Sequence, residues 1–408
     1  MDIHPTVYWL WLVMVFGEAN ARLPEIIRDT ESVRELYYAL HDPDCGLLND
    51  RERQRLRTTT LEKAQQVMAY CEKNGIGIMT WDDEIYPDSL RNIYNPPCVL
   101  FYRGDPSLLR NGMLLTAVGT RHPSEYSRKV AEWLCTDLAR CNLTLCSGCA
   151  VGLDAVAHWA AIRQNMPTIS VLASGVDYDY PRENREMRER IVQNGLLLSE
   201  YFPGAPPLSG HFHARNRILA GISEAVLVLE AGIRSGALIT ANHACEQGKS
   251  VFCVPPADLF DKRYSGVVNF LRDGAYPVFN YLDVLYAYYL KYPHRLSLYD
   301  EEEMSRTTDS LLFAEEKPHR RPRRAKTSAA AEEMPEPPEP FVIPAEATEP
   351  QRRILELLRN GRYTVNAVCM ELQMSFDEVS ILMLEMELSG WIVNVERDTF
   401  MLPESSAC

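Results

Sequence analysis

Four short apolar runs, each ending in a loop of glycine, small and basic residues, constrain this chain more than any other feature. Leu114 to Val118 leads into Gly119-Thr120-Arg121, and Leu143 to Cys146 leads into Ser147-Gly148-Cys149-Ala150-Val151-Gly152-Leu153-Asp154. Ile169 to Leu172 leads into Ala173-Ser174-Gly175, and Val226 to Leu229 into Glu230 to Gly236, with Arg234 and Ser235 inside it. Short apolar runs between amphipathic helical patterns read as buried strands of a parallel sheet. Helical patterns from Ser124 to Arg140, Asp154 to Gln164, Arg182 to Asn194 and Leu238 to Gln247 supply the crossovers that such a sheet requires. The expected fold is a doubly wound α/β domain. Ligands of such domains sit at the carboxyl ends of the strands, where glycines let backbone N–H groups approach an anion. Several such loops in one array point to a polyanion site.

Composition sets outer limits. With 408 residues, 46% of them hydrophobic, the chain can build two or three cores. Eleven cysteines form an odd set without framework spacing, which predicts reduced thiols in a cytoplasmic protein. The apolar run Val7 to Phe16 is far shorter than the roughly 20 residues of a bilayer span, and no basic segment precedes it. It reads as a buried helix, with no membrane partner. The net charge of −14 argues against a nucleic-acid binder only if it is spread evenly, and it is not. From Gly112 to Asn280 there are 16 Lys and Arg against 16 Asp and Glu, with Arg121, Arg182, Arg215, Arg217 and Arg234 in or beside loops. A basic groove on a neutral domain is compatible with that distribution.

Four sections follow from these patterns. Residues 1–75 read as a small helical amino-terminal domain and 76–292 as the α/β domain. Residues 293–348 read as a flexible tether, with a basic run from Lys317 to Lys326 and a proline cluster from Pro335 to Pro340. Residues 349–403 read as three helices and a hairpin, the winged-helix order, with Ser375 as the cap of the third helix. That third helix exposes Asp377, Glu378, Glu385 and Glu387, so protein contact or self-contact suits it better than a phosphate surface.

The residues from Thr80 to Ala275 resemble the DNA-processing protein A family, also called DprA or Smf. The resemblance rests on Thr80-Trp-Asp-Asp-Glu-Ile-Tyr-Pro-Asp-Ser-Leu90, Pro96-Pro97, Arg103-Gly104, Gly119-Thr-Arg121, Ser147-Gly148 with Gly152-Leu-Asp154, and Tyr180-Pro181 with Asn184. It continues through Ser199-Glu-Tyr201, Pro203-Gly204, Phe212, Arg215-Asn-Arg217 with Ala220-Gly221, and Ser235-Gly-Ala-Leu-Ile-Thr240. The resemblance implies an extended Rossmann-like domain that binds single-stranded DNA, forms a homodimer and helps load the RecA recombinase in transformation, without catalysis and without a cofactor. It also marks Arg182 as a basic position used on DNA. Departures are Val151 where the family usually has Arg, Ser209 where some members carry Lys, His213-Ala214 before Arg215, Pro256-Ala257 in place of a Gly-Ser pair, and Gly266-Val267-Val268 in place of Gly-Thr-Asn.

The residues also carry a physical reading of their own. Arg121 directly follows a strand, so its guanidinium is placed to fork onto a phosphate. Ser147, Gly148, Ala150 and Gly152 precede a helix start, where exposed N–H groups and the positive helix end favour an anion. Asp154 is expected to cap that helix and to orient loop amides or an arginine. Arg215 and Arg217, two apart around Asn216, would face the same way on an extended segment, and His211 and His213 flanking Phe212 fit an exposed strand edge. Cys146 and Cys149 have C-x-x-C spacing, but Cys135 and Cys141 lie on or after a helix, so four converging ligands are not expected and no metal is assigned. A competing function is that of a nucleotide-processing enzyme related to the lonely-guy phosphoribohydrolases. Those carry a catalytic glutamate after a glycine loop, where this chain has Ile239 and Thr240.

Overall fold

The computed structural model describes residues 3–110, 112–289, 291–292, 294–296, 343–344, 347–359, 361, 363–396 and 399–402. The basic run Lys317 to Lys326 and most of the tether expected over 293–348 lie outside the described residues. The chain divides into two compact units, Met1–Glu316 and Lys317–Cys408.

The first unit is built on nine strands: β1 (Gly77–Thr80), β2 (Val99–Gly104), β3 (Leu114–Val118), β4 (Thr144–Ser147), β5 (Thr168–Leu172), β6 (Leu196–Ser199), β7 (Ala225–Val228), β8 (Ser250–Cys253) and β9 (Tyr276–Pro277). They lie side by side in the order β1-β2-β6-β5-β4-β3-β7-β8-β9. From β6 to β9 every pairing is parallel, while β2 joins both β6 and β1 antiparallel and extends the sheet at one edge. Strands β3 to β7 are buried at every residue, which explains why they read as unbroken apolar runs rather than alternating ones. The chain builds outward from β3 through β4, β5 and β6, then returns to the far side of β3 with β7. The strand order reverses there, and the loops after β3 and β7, joined where the Thr120 amide donates to the Glu230 carbonyl at 2.9 Å, leave a crevice between residues 119–121 and 234–237 at the carboxyl edge.

Among the described residues the helices of this unit are α1 (Pro5–Phe16), α2 (Arg22–Arg28), α3 (Val33–Leu40), α4 (Asp50–Thr58), α5 (Leu61–Lys73), α6 (Asp88–Arg91), α7 (Glu125–Arg140), α8 (Leu153–Arg163), α9 (Arg185–Asn194), α10 (Ser209–Ile222), α11 (Ala237–Glu246), α12 (Ser265–Arg272) and α13 (Tyr281–Tyr289). The sheet's two-residue period sorts its side chains between two helical layers. Leu115, Ala117 and Leu227 pack with Leu134 and Leu138 of α7, Ala157 of α8 and Val284 of α13. Leu114, Ile169 and Val171 turn the other way, onto Ile218, Leu219 and Ile222 of α10. Helix α1 is apolar on all sides and buried from Val7 through Val13, because α2 to α5 surround it. Its indoles still find acceptors, Trp9 Nε1 donating to Asp82 Oδ2 at 3.0 Å and Trp11 Nε1 to the Thr59 carbonyl at 3.0 Å. Val99 and Phe101 of β2 belong to the same core, so the amino-terminal helices are continuous with the sheet in one compact unit.

One expectation is corrected. Residues 209–222 form helix α10, not an extended segment, so Arg215 and Arg217 do not share a direction and His211, Phe212 and His213 do not form a strand edge. The alternation over 211–217 is local; the apolar triplet Ile218, Leu219 and Ile222 has helical spacing and settles the conformation by docking on the sheet. Gly221 lets this helix approach α6, since a Cβ there would stand 2.6 Å from Leu90 Cδ2.

In the second unit, helices Glu349–Leu358, Val365–Leu372 and Phe376–Leu388 precede a hairpin of β11 (Val393–Glu396) and β12 (Thr399–Met401), with β10 (Tyr363–Thr364) paired on β12. Ser375 caps the third helix in a reciprocal box with Glu378. Ile354, Leu355, Val368, Val379, Met383 and Met386 form its core. This is a winged-helix arrangement. Among the described residues, no helix is long and apolar enough to cross a membrane.

The packing of α8 on β5 has a pH signature. His158 is fully buried with Nδ1 2.8 Å from Thr168 Oγ1, and burial, helped by the Arg215 cation, pushes its pKa down from 6.5 to about 3. The unfolded chain takes up the proton first as pH falls, so the stability from neutral His158 is complete above about pH 6.5 and is lost progressively toward pH 3. Chemical denaturation of wild type and His158→Gln between pH 7 and 5 is expected to show a wild-type slope steeper by up to about 1.4 kcal/mol per pH unit. Parallel slopes would contradict a buried neutral imidazole.

Candidate nucleic-acid interface

The crevice beside β3 is a cleft of about 440 Å³. Gly119, Thr120 and Arg121 line one wall, and Arg234, Ser235, Gly236 and Ala237 the other; Ala150, Asp154, Phe212, His213, Arg215 and Asn216 close the floor and rim. Ten of the fifteen candidate residues are thus gathered at one place: Gly119, Thr120, Arg121, Ala150, Asp154, Arg215, Asn216, Arg234, Ser235 and Gly236. The amino ends of α8 and α11 both meet it, adding positive partial charge to the guanidinium groups. Arg121 and Arg234 are exposed, and no ion pair holds either of them among the described residues. The Arg121 guanidinium lies over the Phe212 ring, 5.2 Å from its centre, and Phe212 meets Tyr180 edge-on at 6.0 Å. A cation stacked on an aromatic ring keeps its N–H fork free for an anion.

A buried arginine holds this rim together. Arg215 is 5% exposed; its Nη1 donates to the Gly148 carbonyl at 2.9 Å and to the Val171 carbonyl, binding the loop after β4 to the end of β5. Asp154 completes the arrangement, its Oδ2 accepting from the amides of Gly148 at 3.2 Å and Ala150 at 3.4 Å. Burial raises the pKa of Asp154, and the Arg215 cation and these amides oppose the shift. Gly148 must be glycine because a Cβ there would come within 2.5 Å of the Arg215 guanidinium. Gly152, at φ +86°, is fixed by a second close approach, since its Cβ would fall 2.5 Å from the Thr120 carbonyl. The loops after β3 and β4 therefore touch, joined also by the Leu153 amide on the Thr120 carbonyl at 3.2 Å.

Five candidates lie outside the main cleft. Ser147 is fully buried and donates its hydroxyl to the Ala117 carbonyl at 2.6 Å. Gly148 borders only a small recess beside the cleft, with Arg121, Tyr180 and Phe212, and its amide is already taken by Asp154. The amide cradle read from Ser147 and Gly148 is thus filled by the protein's own carboxylate. Gly152 faces a neighbouring groove. Arg182 is exposed on the turn Arg182–Asn184 after Tyr180-Pro181. Arg217 is internal: it is 5% exposed, pairs with buried Glu200 at 2.7 Å and donates Nε to the Asn95 carbonyl at 2.7 Å.

The contacts that support the site, including the roles of Asn184 and Asn216, are not legible in the sequence. Asn184 donates to the carbonyls of Cys149 at 3.0 Å and Ala150 at 3.1 Å, and Asn216 to that of Gly236 at 3.2 Å, so two amide side chains tether two rim loops. Glu230, 1% exposed, accepts from the amide and hydroxyl of Ser124 at 2.9 and 2.6 Å and fixes the loop after β3 to that after β7. No local pattern identifies such partners, because each spans 20 residues or more along the chain. The five candidate arginines consequently divide into two kinds, Arg215 and Arg217 buried and Arg121, Arg182 and Arg234 exposed. Arg217→Met is expected to cost about 3–5 kcal/mol of unfolding free energy by stranding the buried Glu200 charge. Arg121→Ala is expected to change it by less than about 0.5 kcal/mol. Urea denaturation of the full chain measures both, and equal losses would contradict the division.

Comparison with known proteins agrees with this architecture. The DNA recombination-mediator protein A family matches residues 77–289, and the DprA winged helix domain matches residues 335–396. The DNA processing protein DprA of Bacillus subtilis (strain 168) is 38% identical over 222 residues, 54% of this chain and 74% of its own. The X-ray structure of DNA processing protein A from Streptococcus pneumoniae superposes with a TM-score of 0.57 at 30% identity, covering 70% of this chain and 98% of that one. A solved DNA processing protein A from Helicobacter pylori, described for its single-stranded DNA binding mode, shares 30% identity over 52% of this chain and 96% of its own, with a TM-score of 0.48. By the family model over residues 77–289 and the 38% identity to the Bacillus subtilis protein, together with its carboxy-terminal winged helix, the chain belongs to the DNA processing protein A (DprA/Smf) family.

Proposed function

We propose that the switch-point cleft binds single-stranded DNA non-catalytically, and that the chain acts in transformation and recombination by holding incoming strands and assisting RecA. The observation that carries this reading is the pairing of two exposed guanidiniums, Arg121 and Arg234, in no ion pair among the described residues, with the Phe212 ring in one open cleft. Phosphates spaced along a flexible strand suit such cations, and an unpaired base has a free face for an aromatic ring. Duplex DNA keeps its bases stacked inside.

The carboxylates nearest the cleft support binding over bond breaking. Glu230 is buried against Ser124 outside the cleft lining, and Asp154, although it lines the cleft, is 7% exposed with its Oδ2 held by two loop amides, which suits a carboxylate that shapes the rim. The same reading takes a homodimer in the cytoplasm as the working form, following the family resemblance. It also assigns the acidic winged-helix unit to protein contact.

Titration of labelled oligo-dT at two salt concentrations tests the proposal. Tight binding that weakens with salt is expected, and Arg121→Ala is expected to lose at least about 1 kcal/mol as a charge-assisted phosphate contact goes. Wild-type affinity in that variant would remove Arg121 from the interface. Release of free base from nucleoside monophosphates by the purified chain would favour the phosphoribohydrolase alternative instead.

A further inference from the structure

A second groove of about 500 Å³ lies on the other side of the contact between the loops after β3 and β4. It runs between α7 and α8 and shares Arg121 with the first cleft. We propose that this groove is a second subsite for the same single strand, so that the bound DNA crosses Gly152 and continues along α7 and α8. The inference rests on the function proposed above.

Three features of the groove carry it. The first is charge: Arg121, Arg128 and Arg163 line it with one acid, Glu132. Arg128 is exposed and in no ion pair among the described residues. Glu132 pairs with Arg163 at 2.9 Å, and both side chains are about half exposed, Arg163 at 49% and Glu132 at 56%. An exposed pair of this kind is worth little in water, so a phosphate can take the place of the carboxylate at small cost.

The second feature is an aromatic wall. Trp159 lines the groove while also packing on the buried cluster of Leu172, Met187 and Ile191. An indole held in place by a core yet still partly open is a low-entropy platform for a base. The third feature is continuity. Arg121 borders the main cleft, the small recess and this groove alike, and Gly152, which lines the groove, sits directly against the Thr120 and Arg121 backbone at the contact that separates them. Any side chain at that point would rise into the loop contact and also demand a left-handed backbone.

Length dependence separates the two subsites. Affinities are to be measured for oligo-dT of about 4 and about 16 nucleotides against wild type, Arg128→Gln, Arg163→Gln and Trp159→Phe, with thermal unfolding confirming each variant folded. For the long strand, Arg128→Gln is expected to bind roughly 3- to 10-fold more weakly, with the slope of log affinity against log salt shallower by about 0.7, one phosphate contact of a single strand. The short strand, held in the first cleft, is expected to bind Arg128→Gln as wild type does. Quenching of tryptophan emission by the long strand should shrink in Trp159→Phe. Wild-type affinities and unchanged quenching for every variant on the long strand would overturn the second subsite while leaving the first intact. Equal losses on both lengths would also overturn it, since the residues would then be acting through the first cleft. Failure of wild type to bind either strand would instead reject the function on which the proposal rests.

Discussion

The candidate site depends on one buried cation. Arg215 sits under the rim, where its guanidinium binds the carbonyls of Gly148 and Val171 and faces the carboxylate that gathers the Gly148 and Ala150 amides. Removing a charge from water is costly unless it is compensated, and here both signs are buried together with hydrogen bonds on each. The loop after β4 is thereby held without a ligand. Its shape, in turn, brings Gly152 against Thr120 and sets where Arg121 emerges. The exposed cations are placed by charges that are themselves almost wholly buried.

This arrangement separates two uses of arginine that look alike in a sequence. Arg215 and Arg217 lie one helical turn or less apart on α10, both 5% exposed, and both act as cross-braces between strands and loops. Arg121 and Arg234 end up exposed on facing walls of an open crevice and, among the described residues, in no ion pair. A low-dielectric neighbourhood strengthens the first pair's bonds, whereas solvent access leaves the second pair able to exchange water for phosphate. The net charge of −14 is no obstacle, because the binding edge is locally cationic while the acidity lies elsewhere.

Much of the fold was legible because it is written in local period and loop chemistry. The runs from Leu114, Leu143, Ile169 and Val226 became β3, β4, β5 and β7 within a residue of the expected limits, and the crossovers at α7, α8 and α11 followed. The small-residue loops marked the carboxyl edge, and ten of fifteen candidate residues met in one cleft. Helix α10 was misread because its first half alternates polar and aromatic residues, and only docking of Ile218, Leu219 and Ile222 on the sheet decides its conformation. Ser147 and Gly148 were legible as an anion-binding loop, yet the anion beside them is Asp154 of the same chain. Tertiary partners of that kind, like Glu230 for Ser124 or Asn184 for Cys149, leave no signature at short range.

The most direct measurement is a crystal structure of the chain with oligo-dT bound. The account expects phosphates seated between Arg121 and Arg234 at the carboxyl edge of β3 and β7, with Arg215 still on the Gly148 carbonyl beneath them. A strand bound away from that edge, or Arg215 drawn out of the interior to meet a phosphate, would contradict it.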